Sequence, residues 1–119
     1  MFPATFSRDY QQYFVHGDYQ SSAGVFQEAK AWAVEKGYDN IAAAREHYIG
    51  EVYFSAAQYG LAFDHFLKAD KGFREIGYQN VPALSIYLYD LDLDYYRFEE
   101  YDKSLRYFLH ASRYPVYLP

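Results

Sequence analysis

The chain repeats itself, and that fact narrows its possible folds more than any other. Gly37-Tyr38-Asp39-Asn40 returns as Gly77-Tyr78-Gln79-Asn80, 40 residues later. Tyr13-Phe14 returns as Tyr53-Phe54 after 40 residues and as Tyr95-Tyr96 after a further 42. Each of these tyrosines is followed at fixed offsets by the same residue types: Tyr19, Tyr59 and Tyr101; Ser22, Ala62 and Ser104; Phe26, Phe66 and Phe108; Ala29, Ala69 and Ala111. A period of this length marks one supersecondary unit stacked on the next, not a single helix or strand. The third copy starts two residues late, and the slack falls before Tyr95.

Inside each copy the spacing is helical. Phe63, Phe66, Leu67 and Phe73 follow the 3–4 step of one buried stripe, with Ala62, Ala69 and Gly72 beside it as points of close approach. Asn40 and Asn80 suit helix starts, Pro82 suits a first helical turn, and Gly37 and Gly77 suit left-handed stops. His16-Gly17-Asp18, Ala57-Gln58 and Glu99-Glu100 fall between paired helices as tight turns. The expected helices are about 4–16, 20–36, 41–57, 60–76, 81–98 and 102–113. No alternating run suggests a strand. The chain is therefore expected to be one all-α domain over 1–119. Its repeats would span about 4–37, 41–77 and 81–113, with an apolar tail at 114–119.

The columns resemble the tetratricopeptide repeat. The second copy fits best, through Ile49, Gly50, Tyr53, Tyr59, Ala62, Phe66 and Ala69. The first has Tyr10 at the Gly50 column and the third has Asp92. The period exceeds the family's 34 residues by about one helical turn per helix, and the closing proline is missing from the first two copies. The resemblance implies a right-handed superhelical stack of three antiparallel helix pairs. It also implies a non-enzymatic role: binding a protein or peptide segment as the interaction or sensing part of a bacterial signalling protein. A second reading is a receptor holding a short peptide signal in the groove.

Composition excludes several other classes. Net charge is −5, with 4 basic against 7 acidic residues in 1–59 and 7 against 9 in 60–119, so no basic arm tracks a phosphate backbone. There is no cysteine, hence no disulfide framework and no thiolate metal site. No run of 18 apolar residues spans a membrane, and MFPATFSRDY lacks the basic flank and apolar core of a secretory signal. A cytoplasmic location, with no nucleic-acid or membrane partner, is the expectation.

Candidate chemistry is sparse. The histidines at 16, 47, 65 and 110 lack zinc-helix spacing, and His47 with Glu51 is the one pair set four apart for a proton or metal role. That pair is weighed as a remote enzyme or metal alternative against a plain hydrogen bond. Asp90, Asp92 and Asp94 alternate as in a calcium loop, but Tyr95 and Tyr101 stand where glycine and glutamate are needed. They read as a solvated acidic helix face, with Asp92 the odd member because its column packs closely elsewhere. No catalytic residue, metal or cofactor is assigned.

The family resemblance implies a groove lined by the first helix of each pair. It would be built from Gln11 and Phe14, with Ser7; His47, Tyr48, Glu51 and Phe54; and Tyr89, Leu93 and Tyr96. Arg8 and Arg45 would each hold a carboxylate. The lysines and asparagines of the family's carboxylate clamp are missing, so a chaperone's acidic tail is not the expected ligand. The last helix presents Leu105, Phe108, Leu109 and Ser112 on one face and Lys103, Arg106, His110 and Arg113 on the other. Its apolar face, with Tyr117 and Leu118 of the tail, suggests a homodimer, a longer array or a folded-back lid.

Overall fold

A computed structural model describes residues 19–114. Its elements are α1 (Tyr19–Lys36), α2 (Asp39–Ser55), α3 (Tyr59–Ile76), a 3-10 turn (Tyr78–Asn80), α4 (Leu84–Arg97) and α5 (Tyr101–Ser112). No strand occurs among the described residues, as the spacing predicts. The expected helix at 4–16, its following turn and the tail beyond Tyr114 lie outside them. The chain divides into two compact units, Met1–Glu75 and Ile76–Pro119.

Three helix connections are built alike. The amide of Tyr38 bonds to the carbonyl of Ala33 at 2.8 Å, that of Gln58 to Tyr53 at 2.9 Å, and that of Glu100 to Tyr95 at 2.8 Å. The preceding amides, of Gly37, Ala57 and Glu99, bond to the carbonyls of Val34, Phe54 and Tyr96. This double bonding satisfies the last carbonyls of a helix through one left-handed residue. Gly37 takes φ +75°, but Ala57 and Glu99 take φ 60° and 63° despite their Cβ atoms. The residue after each turn then starts the next helix. The carbonyls of Tyr38, Gln58 and Glu100 accept the amides of Ala42, Ala62 and Ser104, each at 3.0 Å. Helix follows helix with no spare residue, which forces each pair into a hairpin.

The connection after Gly77 differs, and here two sequence expectations are corrected. Asn80 does not start a helix: its Nδ2 donates to the carbonyl of Ile76 at 3.1 Å, closing the end of α3. Pro82 stands two residues ahead of α4 rather than in its first turn, so α4 begins at Leu84 instead of 81. The extra residues of the third copy are taken up in this segment, before Tyr95. Asn40 likewise lies inside α2, which begins at Asp39 with Tyr38 at its cap.

In unit 1, α2 packs on α1 through Ile49 and Val52 against Ala23 and Phe26, with Tyr48 and Tyr53 partly buried alongside. On α3, Phe66 and Phe73 are buried, and each such phenylalanine contributes about 1.5–3 kcal/mol. Leu67, expected on that stripe, is instead exposed. Gly50 is required where it stands. A Cβ there would lie 2.5 and 2.6 Å from Phe66 ring carbons and 3.0 Å from the carbonyl oxygen of Ala62. Ser22, Ala62 and Ser104 are all buried, and so are Ala29, Ala69 and Ala111. The small-residue columns thus behave alike in every copy.

In unit 2, α4 and α5 form a hairpin. The rings of Tyr95 and Tyr107 stack at 5.6 Å with an interplanar angle of 9°, and the Lys103 ammonium lies 5.5 Å from the Tyr95 ring centre. Ser104 donates a 2.5 Å hydrogen bond to Asp92, which supplies the partner that its close-packed column demands. Asp94 is buried, with Arg97 Nη1 3.8 Å from its carboxylate, so the view of this run as a solvated acidic face fails at Asp94.

Candidate functional site

The residues of the expected groove fall in both units and are taken unit by unit. Arg8, Gln11 and Phe14 lie outside the described residues. In unit 1, His47 is fully buried, its ring 5.3 Å from Phe66 and 5.8 Å from Tyr48. His47 Nε2 stands 3.5 Å from Glu51 Oε1, so Glu51, at the edge of the core, is the accessible member of that pair. Tyr48 is half-buried, stacked on Phe26 at 5.6 Å, with the Arg45 guanidinium 5.3 Å from its ring centre. Phe54 is half-buried among Tyr59, Phe63 and Phe66. These aromatic groups spend most of their surface on the repeat itself.

Unit 2 contrasts with this. Tyr89, Leu93 and Tyr96 of α4 are exposed, and Ile86 continues their stripe at the helical step. On α5, Tyr101, Leu105, Phe108 and Leu109 are exposed, Leu105 to 57% and Phe108 to 46%. Tyr89 lies 6.1 Å from Phe108, and Tyr96 lies 5.4 Å from Tyr101. The Tyr96–Tyr101 contact sits beside the turn and the Tyr89–Phe108 contact about two helical turns farther along, so the stripes meet edge to edge and make one aromatic-aliphatic face. Tyr117 and Leu118, expected to extend it, are outside the described residues.

Unit 1 also holds a feature that the sequence reading passed over. Glu46, in the middle of α2, is nearly fully buried. Its Oε2 is ion-paired with Lys30 of α1, and its Oε1 is 2.5 Å from Nδ1 of His65 on α3. Burial pushes the Glu46 carboxyl up. The hydrogen bonds and charges of Lys30 and His65 outweigh it and hold the group below its ordinary range. The His65 ring stacks on Tyr53 at 5.4 Å, which fixes its plane. Above the carboxylate opens a cleft of about 490 Å³, lined by Gln27, Lys30, Ala31, Val34 and Glu35 of α1, Glu46 and Ile49 of α2, and His65 of α3.

The cleft was invisible in the sequence because its members are 16 and 19 residues apart. One signal was available. Lys30 follows the buried Ala29 column and His65 precedes the buried Phe66 column, so both sit on the shoulder of a packed stripe. Compared with known families, curated proteins and solved structures, the chain has no match.

Proposed function

We propose that this chain is a non-enzymatic helical-repeat module of tetratricopeptide type, and that its α4–α5 face takes up an amphipathic helix of a protein partner. The observation that carries this is the continuous exposed stripe of Ile86, Tyr89, Leu93 and Tyr96 beside Tyr101, Leu105, Phe108 and Leu109. A face of this kind favours association, and rigid tyrosines give large contact area at small entropic cost.

The repeat itself suggests the occupant. Phe108 stands at the column of Phe26, and in unit 1 Phe26 is covered by a helix, α2, through Tyr48, Ile49, Val52 and Tyr53. The same column in α5 calls for the same kind of cover: a helix with apolar residues at i, i+1, i+4 and i+5. A labelled synthetic peptide with the sequence of residues 39–55 is a suitable probe. It is expected to bind saturably and to gain helicity, being marginal as a helix alone. Leu105→Glu with Phe108→Glu, both at exposed positions, is expected to weaken binding about thirtyfold or more, the scale of a hot-spot loss. Binding that ignores these changes, or a face covered by a second copy and closed to the peptide, contradicts the proposal.

A further inference from the structure

The helix-docking face makes no use of the cleft in unit 1, and the cleft has a chemistry of its own. Its floor is a carboxylate, Glu46, at 4% side-chain exposure, held by an ammonium whose own side chain is 40% exposed. Burying a carboxylate this deeply requires a cation on it. Lys30 supplies that cation from the cleft wall, on a flexible aliphatic stem. A second carboxylate, Glu35, stands on the same stripe of α1 one helical turn beyond Ala31. Val34 and Ile49 line the cleft as apolar surface between the charges. Two carboxylates therefore face one permanent cation, in a chain whose net charge is −5.

We infer that this cleft is a binding site for an organic cation on a short alkyl stem, and that Lys30 occupies the position of the ligand's head group. The ligand's ammonium or guanidinium replaces Lys30 on Glu46 while Lys30 swings into solvent. Its stem lies on Val34 and Ile49, and Glu35 adds a rim contact. His65, hydrogen-bonded to the other oxygen of Glu46 and stacked on Tyr53, keeps the carboxylate aimed. The volume, about 490 Å³, lies within the range of small-ligand clefts. The same chemistry is offered by a free amine and by a lysine or arginine side chain of a partner.

Backbone amide NMR of the full chain separates these sources. One titration uses agmatine and cadaverine. A second uses a short blocked peptide with a central lysine, against its norleucine counterpart. Glutarate serves as the anionic control. The expected result is a saturable shift of resonances around 30–35, 46–49 and 65 with the free amines, the lysine peptide or both. Binding by the peptide alone assigns the site to a partner's side chain. Lys30→Ala removes the internal competitor, so binding should tighten by about tenfold, and the amine should raise the melting temperature of that variant. Glu35→Gln, at an exposed position, should weaken binding severalfold in an otherwise unchanged fold. No saturable shift from any amine or lysine peptide overturns the inference. So does binding that is lost in a Lys30→Ala chain whose amide spectrum is still that of the folded protein, or a cleft that takes up glutarate instead.

Discussion

Ser104 donates a 2.5 Å hydrogen bond to Asp92, at the two positions where the preceding repeat has Ala62 and Gly50. One turn further along α5 stands Phe108, the third copy's counterpart of Phe66. At Gly50 the ring of Phe66 fills the space a Cβ would need, and Phe66 is fully buried. Asp92 has that Cβ, and Phe108, the counterpart of Phe66, is turned out against Tyr89. Two residue changes between the second and third copies, Gly50 to Asp92 and Ala62 to Ser104, thus accompany the outward turn of a phenylalanine onto an apolar face.

The Asp92–Ser104 pair is expected to behave as a coupled unit. Ser104→Ala removes the hydroxyl donor from a carboxylate and should cost about 1–2 kcal/mol in denaturant unfolding. In an Asp92→Ala background the same change should cost clearly less, with a coupling of about 1 kcal/mol. Additive losses would show that the bond carries no weight.

Gly50→Ala tests the close contact in the second copy. The new methyl meets the Phe66 ring, which is locked in a core, so a loss of about 1–3 kcal/mol is expected from overpacking. The complementary change, Asp92→Gly, opens the equivalent space under Phe108. The expected outcome is a better-protected Phe108 and weaker peptide binding at the α4–α5 face. The first is read from side-chain NMR and the second from anisotropy.

Glu99 holds a left-handed turn at φ 63°. A Cβ in that conformation costs about 1–2 kcal/mol, and glycine gives back part of the gain through the unfolded chain. Glu99→Gly should therefore raise stability by about 0.5–1 kcal/mol. Gly37→Ala, at φ +75°, should lower it by about 1 kcal/mol. Calorimetry of the two variants checks the opposite signs.

Glu46 makes stability depend on pH. Its carboxyl titrates below the ordinary value of 4.5 in the folded chain, because Lys30 and His65 favour the charged form against the cost of burial. A group depressed in this way contributes stability that is present above pH 4.5 and is lost as the pH falls through the folded value. Glu46→Gln should flatten the acid limb of the stability profile and lower stability near neutrality. An unchanged acid limb would mean that the ion pair makes no contribution.

How far the sequence could be read follows from the range of each cause. Helix ends set by short-range rules were legible. Gly37 and Gly77 take positive φ as their residue type suggests, and the repeat columns placed the turns at Ala57 and Glu99 even without glycine. The start of α4 was not legible, because Asn80 turned its amide back to Ile76 instead of forward to a new helix. A capping residue does not announce which of two neighbouring helices it serves. Gly50 announced a close approach, and Asp92 announced the need for a partner, but a single chain could not show that the partner is Ser104. The Lys30–Glu46–His65 cluster was missed for another reason. Three charged or polar residues on three helices share no spacing, and only packing brings them together.

Hydrogen–deuterium exchange of the full chain, with and without the peptide copy of residues 39–55, shows whether the α4–α5 face takes up a helix. New protection is expected to concentrate in 86–97 and 101–112 and to be abolished by Leu105→Glu with Phe108→Glu. Protection elsewhere alone, or none at saturating peptide, would contradict the proposed uptake.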